Sequence, residues 1–471
     1  MRGDFSRDTF DPTKHYSGVL MQQGRVQLDA DWNEQDAILL HYLRTLAADI
    51  LGPHAGPLGA MGFEIITRNT KSALSKIDDI EPNPSRANVL KAACEKGNLI
   101  IAPGRYYVHG MLVENERAVL YGEQPGHPLK ETHTIADSRP PSGQLVYLDV
   151  TERFVTSIED PSLREVALGG PDTSSRAQVA WQVRILEFDP NDKSFDSNFI
   201  TRRPSIGTGK LLARARADES AVSPSGSPFS GAENRLYRVE VHNGGSATDD
   251  VARASFKWSR ENGSVTFPIR SLSGATATLA HLGRDARWSI VPGDWVELVD
   301  DAVAMRDEAG PLMQVRVVDH DNLTVTLEPP KGLTSWPSYT ESTALAGHAL
   351  LRRWDHAGKT GAFGGTLPIV EQADTRDAQE PAGIALEDGV EVSFAAGGEY
   401  RAGDYWLIPA RTATGDVDWP DEADNNGNSV PAFRVAHGPH HYYAPLLKMT
   451  ANARGTIVET DCRRTIPQQQ P

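Results

Sequence analysis

The chain has few cysteines, no long apolar run and fewer basic than acidic residues. Only Cys94 and Cys462 occur in 471 residues, which excludes a disulfide-stapled secreted scaffold and predicts two reduced, buried thiols. No stretch of eighteen apolar residues occurs, and the first residues have no apolar run, so neither a transmembrane helix nor a signal peptide is predicted. We therefore expect synthesis in the cytoplasm and release only by lysis or as part of a larger particle.

The charge balance limits the partners. Asp and Glu number 63 against 47 Lys and Arg, for a net charge of -16. This excess repels phosphate backbones and anionic lipid headgroups. Nucleic acid binding and membrane insertion are therefore not expected.

The motifs of common enzyme classes are also missing. The sequence contains no Gly-x-Ser-x-Gly elbow, no His-Glu-x-x-His, no P-loop and no dinucleotide fingerprint. We predict no catalytic residue, no cofactor and no enzymatic activity. A glycosidase needs only two suitably placed carboxylates, so a glycan hydrolase stays as an alternative.

One long helix is predicted near the start of the chain, over Trp32–Leu51. Asp31 is a suitable N-cap, Glu34 stands at the position that completes a capping box, and Gly52-Pro53 ends the helix. Its apolar residues recur at helical spacing and are Leu39, Leu43, Leu46 and Ile50.

The rest of the chain has the pattern of strands and turns. Short apolar runs alternate with polar residues and are separated by Gly, Pro, Asn and Asp, which predicts antiparallel sheets with one solvated face. A short helix is predicted around Arg86–Lys96. The strand-like runs lie at 98–103, 105–109, 144–150, 178–186 and 236–241.

The predicted fold is therefore mainly β, with several antiparallel sandwich or small-barrel modules behind an extended arm and one long helix. Residues 256–330 look like one compact barrel or sandwich. The predicted segments are an arm and helix (1–52), a first β module (53–210), a linker or loop (211–233), a barrel-like module (234–350) and a C-terminal β module with an acidic loop (351–471). A second soft region is expected at 371–383.

Two groups of residues resemble metal ligands. His437, His440 and His441 are close in sequence, but a Gly-Pro turn separates the first from the pair, which would point to opposite faces of a strand. The acidic loop 416–428 is rich in oxygen ligands but does not fit the EF-hand register. We predict packing roles for the histidines and a solvated loop, with zinc or iron at the histidines and calcium at the loop as the alternatives.

The first thirty residues lack the hydrophobic periodicity needed for a core of their own. Such a segment becomes ordered by lying on its own β modules or on a neighbouring subunit, and the sequence leaves both open. The candidate interface residues are Phe5, Phe10, Tyr16, Leu20, Met21, Arg25 and Trp32.

Several stretches together resemble a family of functionally uncharacterised proteins encoded with phage-tail-like contractile injection systems. They are GDFSRDTFDP at 3–12, VLMQQGRVQLDADWNE at 19–34, VYLDVTER at 146–153, EVALGGPDTSSR at 165–176, FKWSRENGSV at 256–265, GDYWLIPAR at 403–411, HHYYAPL at 440–446 and DCRR at 461–464.

The resemblance implies a structural component of the particle at a baseplate, cage or cap position, present in several copies. Its partners would be other subunits of the particle and copies of itself. A particle-borne glycan hydrolase and a receptor-binding or fibre-like module are the alternatives.

Overall fold

The computed structural model describes residues 2–125, 143–192, 195, 199–216, 228–249, 253–285, 287–306, 308–356, 365–372, 383–424, 427–451 and 456–466. Within these ranges the chain is mainly β, and every named strand pair except one is antiparallel. The predicted fold class is confirmed.

Five α-helices lie in the described ranges. They are α1 (Asp29–Leu51), α2 (Ala73–Ile80), α3 (Pro84–Glu95), α4 (Asp301–Arg306) and α5 (Glu341–Ala346). The predicted short helix is α3, with Asn83 as its N-cap and Pro84 in the first turn, where a missing N–H costs nothing. None of the helices in these ranges combines the length and hydropathy that crossing a lipid bilayer requires.

The predicted long helix is α1, but its start differs. Leu28 is the N-cap, and the Asp31 carboxylate accepts a hydrogen bond from the Leu28 N–H at 3.2 Å from inside the first turn. The prediction of Asp31 as the cap is therefore wrong. An acidic side chain at this position stabilises the positive end of the helix dipole equally well from within the helix.

The first β unit joins the early strands to the end of the described chain. Its sheets have the orders β1-β4-β5, β2-β3-β6 and β30-β29-β7-β8. Its strands are β1 (His54–Ala55), β2 (Ile65–Ile66), β3 (Ile100–Ile101), β4 (Gly104–Val108), β5 (Met111–Asn115), β6 (Val119–Leu120), β7 (Gly143–Val155), β8 (Arg176–Phe188), β29 (Tyr442–Ala451) and β30 (Ile457–Asp461). Apolar side chains from all three sheets form its core.

A sandwich of two sheets forms the second unit. The orders are β19-β12-β10-β24-β25 and β20-β22-β9-β28, with β21 also paired to β22. The strands are β9 (Lys210–Ala215), β10 (Arg235–Asn243), β12 (Ser255–Ser259), β19 (Leu367–Pro368), β20 (Glu371–Gln372), β21 (Ile384–Ala385), β22 (Val390–Ala395), β24 (Tyr405–Arg411), β25 (Asp416–Val417) and β28 (Arg434–Val435). Short pairs flank it: β11 (Gly245–Ser246) with β23 (Glu399–Tyr400), and β26 (Asp421–Ala423) with β27 (Ser429–Pro431).

A closed barrel of six strands is the third unit, in the order β13-β14-β17-β16-β15-β18. Its strands are β13 (Thr266–Ser273), β14 (Thr276–Leu279), β15 (Trp295–Val299), β16 (Leu312–Asp319), β17 (Thr324–Glu328) and β18 (Leu350–Trp354). Because β18 pairs with both β13 and β15, this ring has no free edge.

Three predicted boundaries differ from the structure. The compact unit predicted at 256–330 is displaced, because β12 belongs to the sandwich and the barrel closes only with β18. The linker predicted at 211–233 begins inside β9, whose Leu211 and Ala213 are fully buried in the sandwich core. The soft region 371–383 begins with β20, and its residues 373–382 lie outside the described ranges.

The ribbon of β7 and β8 positions the N-terminal segment. β29 pairs with β7 only as far as Val150, so the ribbon continues beyond the sheet. In this extension Glu152 forms a bidentate ion pair with Arg44 of α1, Arg153 reaches α4 of the barrel, and Phe154 contacts the arm. The ribbon therefore fixes α1 to the rest of the protein.

Candidate functional site

Residues 2–5 are fastened to the protein's own β units. Arg2 donates to the Glu240 carboxylate from Nε at 3.0 Å and from a terminal nitrogen at 2.5 Å, and the Gly3 carbonyl accepts from Asn262 at 2.9 Å. Phe5 meets the ring of Phe154 edge-on, with 5.7 Å between ring centroids. Residues 2–5 therefore act as an intramolecular anchor.

The anchor enters a buried charge network. Glu240 also accepts from Arg238 at 2.5 Å and lies 3.4 Å from the Lys257 ammonium, which lies 2.7 Å from Glu297 of the barrel. Burial alone would raise the pKa of Glu240, but Arg2, Arg238 and Lys257 hold it well below its usual value. The carboxylate is therefore ionised at neutral pH and retains the arm.

A second set of contacts runs along α1. The Ser6 N–H donates to Asp29 at 2.8 Å, and the Thr9 hydroxyl donates to Glu34 at 2.5 Å. Phe10 then packs against His41, with 5.7 Å between ring centroids. Glu34, predicted to complete a capping box, instead holds the arm against the helix.

The remainder of the arm is largely exposed, although the Val19 N–H still donates to the Gln35 side chain of α1 at 2.8 Å. Between residues 11 and 28 most side chains are exposed, and Leu20 is 89% exposed. The predicted interface residues thus divide into two groups. Phe5 and Phe10 contact the protein's own surface, whereas the exposed residues are Tyr16, Leu20, Met21, Arg25 and Trp32, of which Tyr16 also borders a groove on α1.

A line of exposed apolar side chains lies on α1. Leu39, Leu43, Leu46 and Ile50 follow one another at intervals of four, three and four residues, and all four are more than half exposed. Trp32 continues this line toward the start of the helix and is 58% exposed. We call these five side chains the α1 stripe.

The other faces of α1 hold it in place. Ile38, which is 1% exposed, lines a groove together with Phe10 and Tyr16 of the arm. Arg44 faces the ribbon, and the backbone of Arg44 closely approaches Gly110, where an added Cβ would lie 2.1 Å from the Arg44 carbonyl oxygen. The stripe is therefore left on the side that neither the arm nor the ribbon covers.

Exposed apolar side chains are concentrated in this part of the chain. Of the 24 large apolar residues that are exposed among the described residues, 13 lie between Tyr16 and Leu58. Contiguous apolar surface of this kind is uncommon on monomers and marks interaction sites. Only Trp32 of the stripe was a predicted interface residue, because periodicity alone does not say which way a helix face points.

The three histidines make separate contacts. His441 Nδ1 lies 2.7 Å from Asp149, His440 Nδ1 lies 3.2 Å from the Ser205 hydroxyl, and the His437 ring stacks on Tyr405. The described residues contain no group of three metal-ligating side chains. Within loop 416–428, β25 and β26 are strands, and the Asp424 carboxylate accepts from the Asn428 backbone N–H.

A polar cleft of about 450 Å³ lies between the sandwich and the barrel. Its guanidinium groups are already paired with carboxylates or carbonyls of the protein: Arg260 with Glu387, Arg287 with Glu261, and Arg353 with backbone oxygens. These pairings satisfy most of the charges that line the cleft. We assign no ligand to it.

A comparison with known protein families identifies the family of this chain. A family model described as a family of unknown function, DUF6519, matches residues 1–203 and 205–468. The chain belongs to this family. No curated protein and no solved structure gives a significant match. The match to DUF6519 covers the arm, the helix and all three β units, but it assigns no function to any of them.

Proposed function

We propose that this DUF6519 protein is a structural subunit of a contractile, phage-tail-like injection particle, and that it docks onto neighbouring subunits through the α1 stripe and the exposed part of the arm. The position would be at the baseplate, cage or cap. The observation that carries the docking role is the exposure of the α1 stripe on a helix that is firmly held from its other sides.

The physical argument for docking is one of free energy. Leu39, Leu43, Leu46 and Ile50 gain about 1.5–3 kcal/mol each when fully buried, and here they are more than half exposed. A helix already fixed by Glu152 and by the arm loses little further entropy on binding. The stripe is therefore preorganised to bind an apolar surface.

The particle context rests on the sequence resemblance. The segments that carry it include residues 3–12 and 19–34, which supply the anchor, the exposed arm and the first turn of α1. The anchor and the start of α1 thus lie within the most characteristic part of the sequence. This agreement supports a role for the N-terminal segment in assembly.

The test is incorporation into particles. We expect the double variant Leu43→Gln, Leu46→Gln to be expressed and folded but absent from purified particles of a producing strain, as judged by immunoblotting. The matched control, Leu345→Gln with Val166→Gln, removes exposed apolar side chains elsewhere and should be incorporated normally. Incorporation of the stripe variant at the wild-type level would contradict docking. Release of sugar from peptidoglycan by the pure protein would favour the hydrolase alternative.

A further inference from the structure

Asp36 is a charged residue that lies in line with the α1 stripe. At about 100° per residue, Asp36 lies within about 20° of Leu43 around the helix axis, between Trp32 and Leu39 along it. Its side chain is exposed, and it forms no ion pair or hydrogen bond with the described part of the chain. The carboxylate therefore stands within the surface that docking would cover.

Burying this carboxylate determines what the partner must carry. An ionised carboxylate taken out of water without a counter-charge costs several kcal/mol, which would offset much of the gain from the leucines. A cation of the partner within about 4 Å of Asp36 offsets much of this penalty. The partner surface must therefore be apolar with one basic side chain opposite Asp36.

A second copy of α1 does not have this surface. Arg44 is the only Lys or Arg in the helix, and Glu152 of the same chain holds it in a bidentate pair away from the stripe. Two stripes packed together in either direction would leave Asp36 beside leucines or near Asp36 or Asp49 of the other copy. The helix-to-helix contact of two identical chains is thus disfavoured by charge.

The spacing of the stripe indicates the shape of the occupant. Intervals of four, three and four residues form the seam that packs a second helix at a shallow crossing angle. We propose that the α1 stripe binds an amphipathic helix of a different chain, apolar along the seam, with a Lys or Arg opposite Asp36. This inference rests on the proposed docking role and specifies its partner.

The experiment uses the full-length protein and two synthetic helical peptides of the same length. Both carry leucines at the seam positions and neutral Gln and Ala elsewhere, and they differ only in a central seam residue, Lys in one and Glu in the other. We expect the Lys peptide to bind at least tenfold more tightly in fluorescence anisotropy. Asp36→Lys should invert the preference in favour of the Glu peptide.

Controls separate local pairing from general attraction to an acidic protein. Asp321→Lys changes the net charge equally at an exposed site on the barrel and should leave the preference unchanged. Leu43→Gln with Leu46→Gln should abolish binding of both peptides. A preference for Lys that Asp36→Lys leaves unaltered would overturn the assignment of Asp36.

The remaining outcomes distinguish this inference from the docking role. Equal binding of both peptides, lost in the stripe variant, would keep docking and overturn the requirement for a cation. Sedimentation that shows dimers of the wild type, but monomers of the stripe variant, would make a second copy the occupant and overturn the inference. A monomer that binds neither peptide would overturn the helical partner, whereas the incorporation of the stripe variant into particles decides the docking role.

Discussion

At the scale of single residues, buried histidines make the stability of this fold depend on pH. His356 is 3% exposed, and its Nε2 lies 2.7 Å from the Gly365 carbonyl while its ring stacks on Trp295. Burial lowers the pKa of His356 to about 4, and burial likewise lowers the pKa of His54 to about 4 and of His242 to about 3. These imidazoles remain neutral in the folded protein when the unfolded chain has already bound protons.

We predict that the free energy of unfolding falls on acidification below pH 6.5. A histidine with a pKa near 4 in the folded state and 6.5 in the unfolded state contributes stability above pH 6.5 that is lost as the pH falls toward 4. Between pH 6.5 and 5 this loss is about 2 kcal/mol for His356. Urea unfolding at the two pH values measures it.

Comparison of variants isolates the contribution of His356. His356→Gln should be less stable at pH 7 but should lose about 2 kcal/mol less on acidification than the wild type. Asp404, whose burial raises its pKa to about 6, acts in the opposite direction and is the same in both proteins. The exposed His320→Gln serves as control, and equal losses in wild type and His356→Gln would contradict the prediction.

At the scale of elements, α1 is a helix with two different apolar faces. Ile38 packs beneath the arm, whereas Leu43 and Leu46 face away from it. We predict that Leu43→Gln or Leu46→Gln changes the free energy of unfolding by about 0.5 kcal/mol or less. Ile38→Ala should cost about 2–5 kcal/mol, because it leaves a cavity between helix and arm.

Chemical denaturation of the three single variants measures this contrast. Gln is a good helix former, so the exposed substitutions retain the propensity of the helix. A cost above about 2 kcal/mol for Leu43→Gln would mean that the stripe is already packed within the protein. That outcome would remove the reason to regard it as a docking surface.

Local sequence patterns predicted these elements better than their partners. The 3.6-residue period and Gly52 predicted α1, and alternation predicted the cores of β4, β7, β8 and β10, because both signals act between near neighbours. The same period cannot tell whether Leu43 faces the protein or solvent. Nor could it predict that Glu34 would bind Thr9.

Local sequence patterns could not predict which distant segments pair with each other. The pairing of β29 with β7 joins residues almost three hundred positions apart. β10 and β24, which also pair, are likewise far apart in the sequence. Lys257 lies in one of the stretches that carry the family resemblance, but only the fold brings Glu240 and Glu297 to it. A buried ion network depends on packing and has no local sequence signature.

At the scale of the whole molecule, charges buried between units hold the sandwich and the barrel together. Lys257 on β12 lies 2.7 Å from Glu297 on β15, and both side chains are at most 2% exposed. Glu297 also accepts from the Trp354 indole at 2.9 Å and from the Gly310 N–H at 3.0 Å. Burial alone would raise the pKa of Glu297, but Lys257 and Arg2 lower it to about 2.

The contact between sandwich and barrel predicts that Lys257 and Glu297 are energetically coupled. Lys257→Met should cost about 3–5 kcal/mol of unfolding free energy, because it leaves the Glu297 carboxylate buried without its cation. In the double variant Lys257→Met, Glu297→Gln the carboxylate is neutral, so its cost should be clearly smaller than the sum of the two single costs. Urea unfolding of all four proteins closes the cycle. Additive costs would show that Lys257 and Glu297 do not stabilise each other, and the contact between sandwich and barrel would then need another explanation.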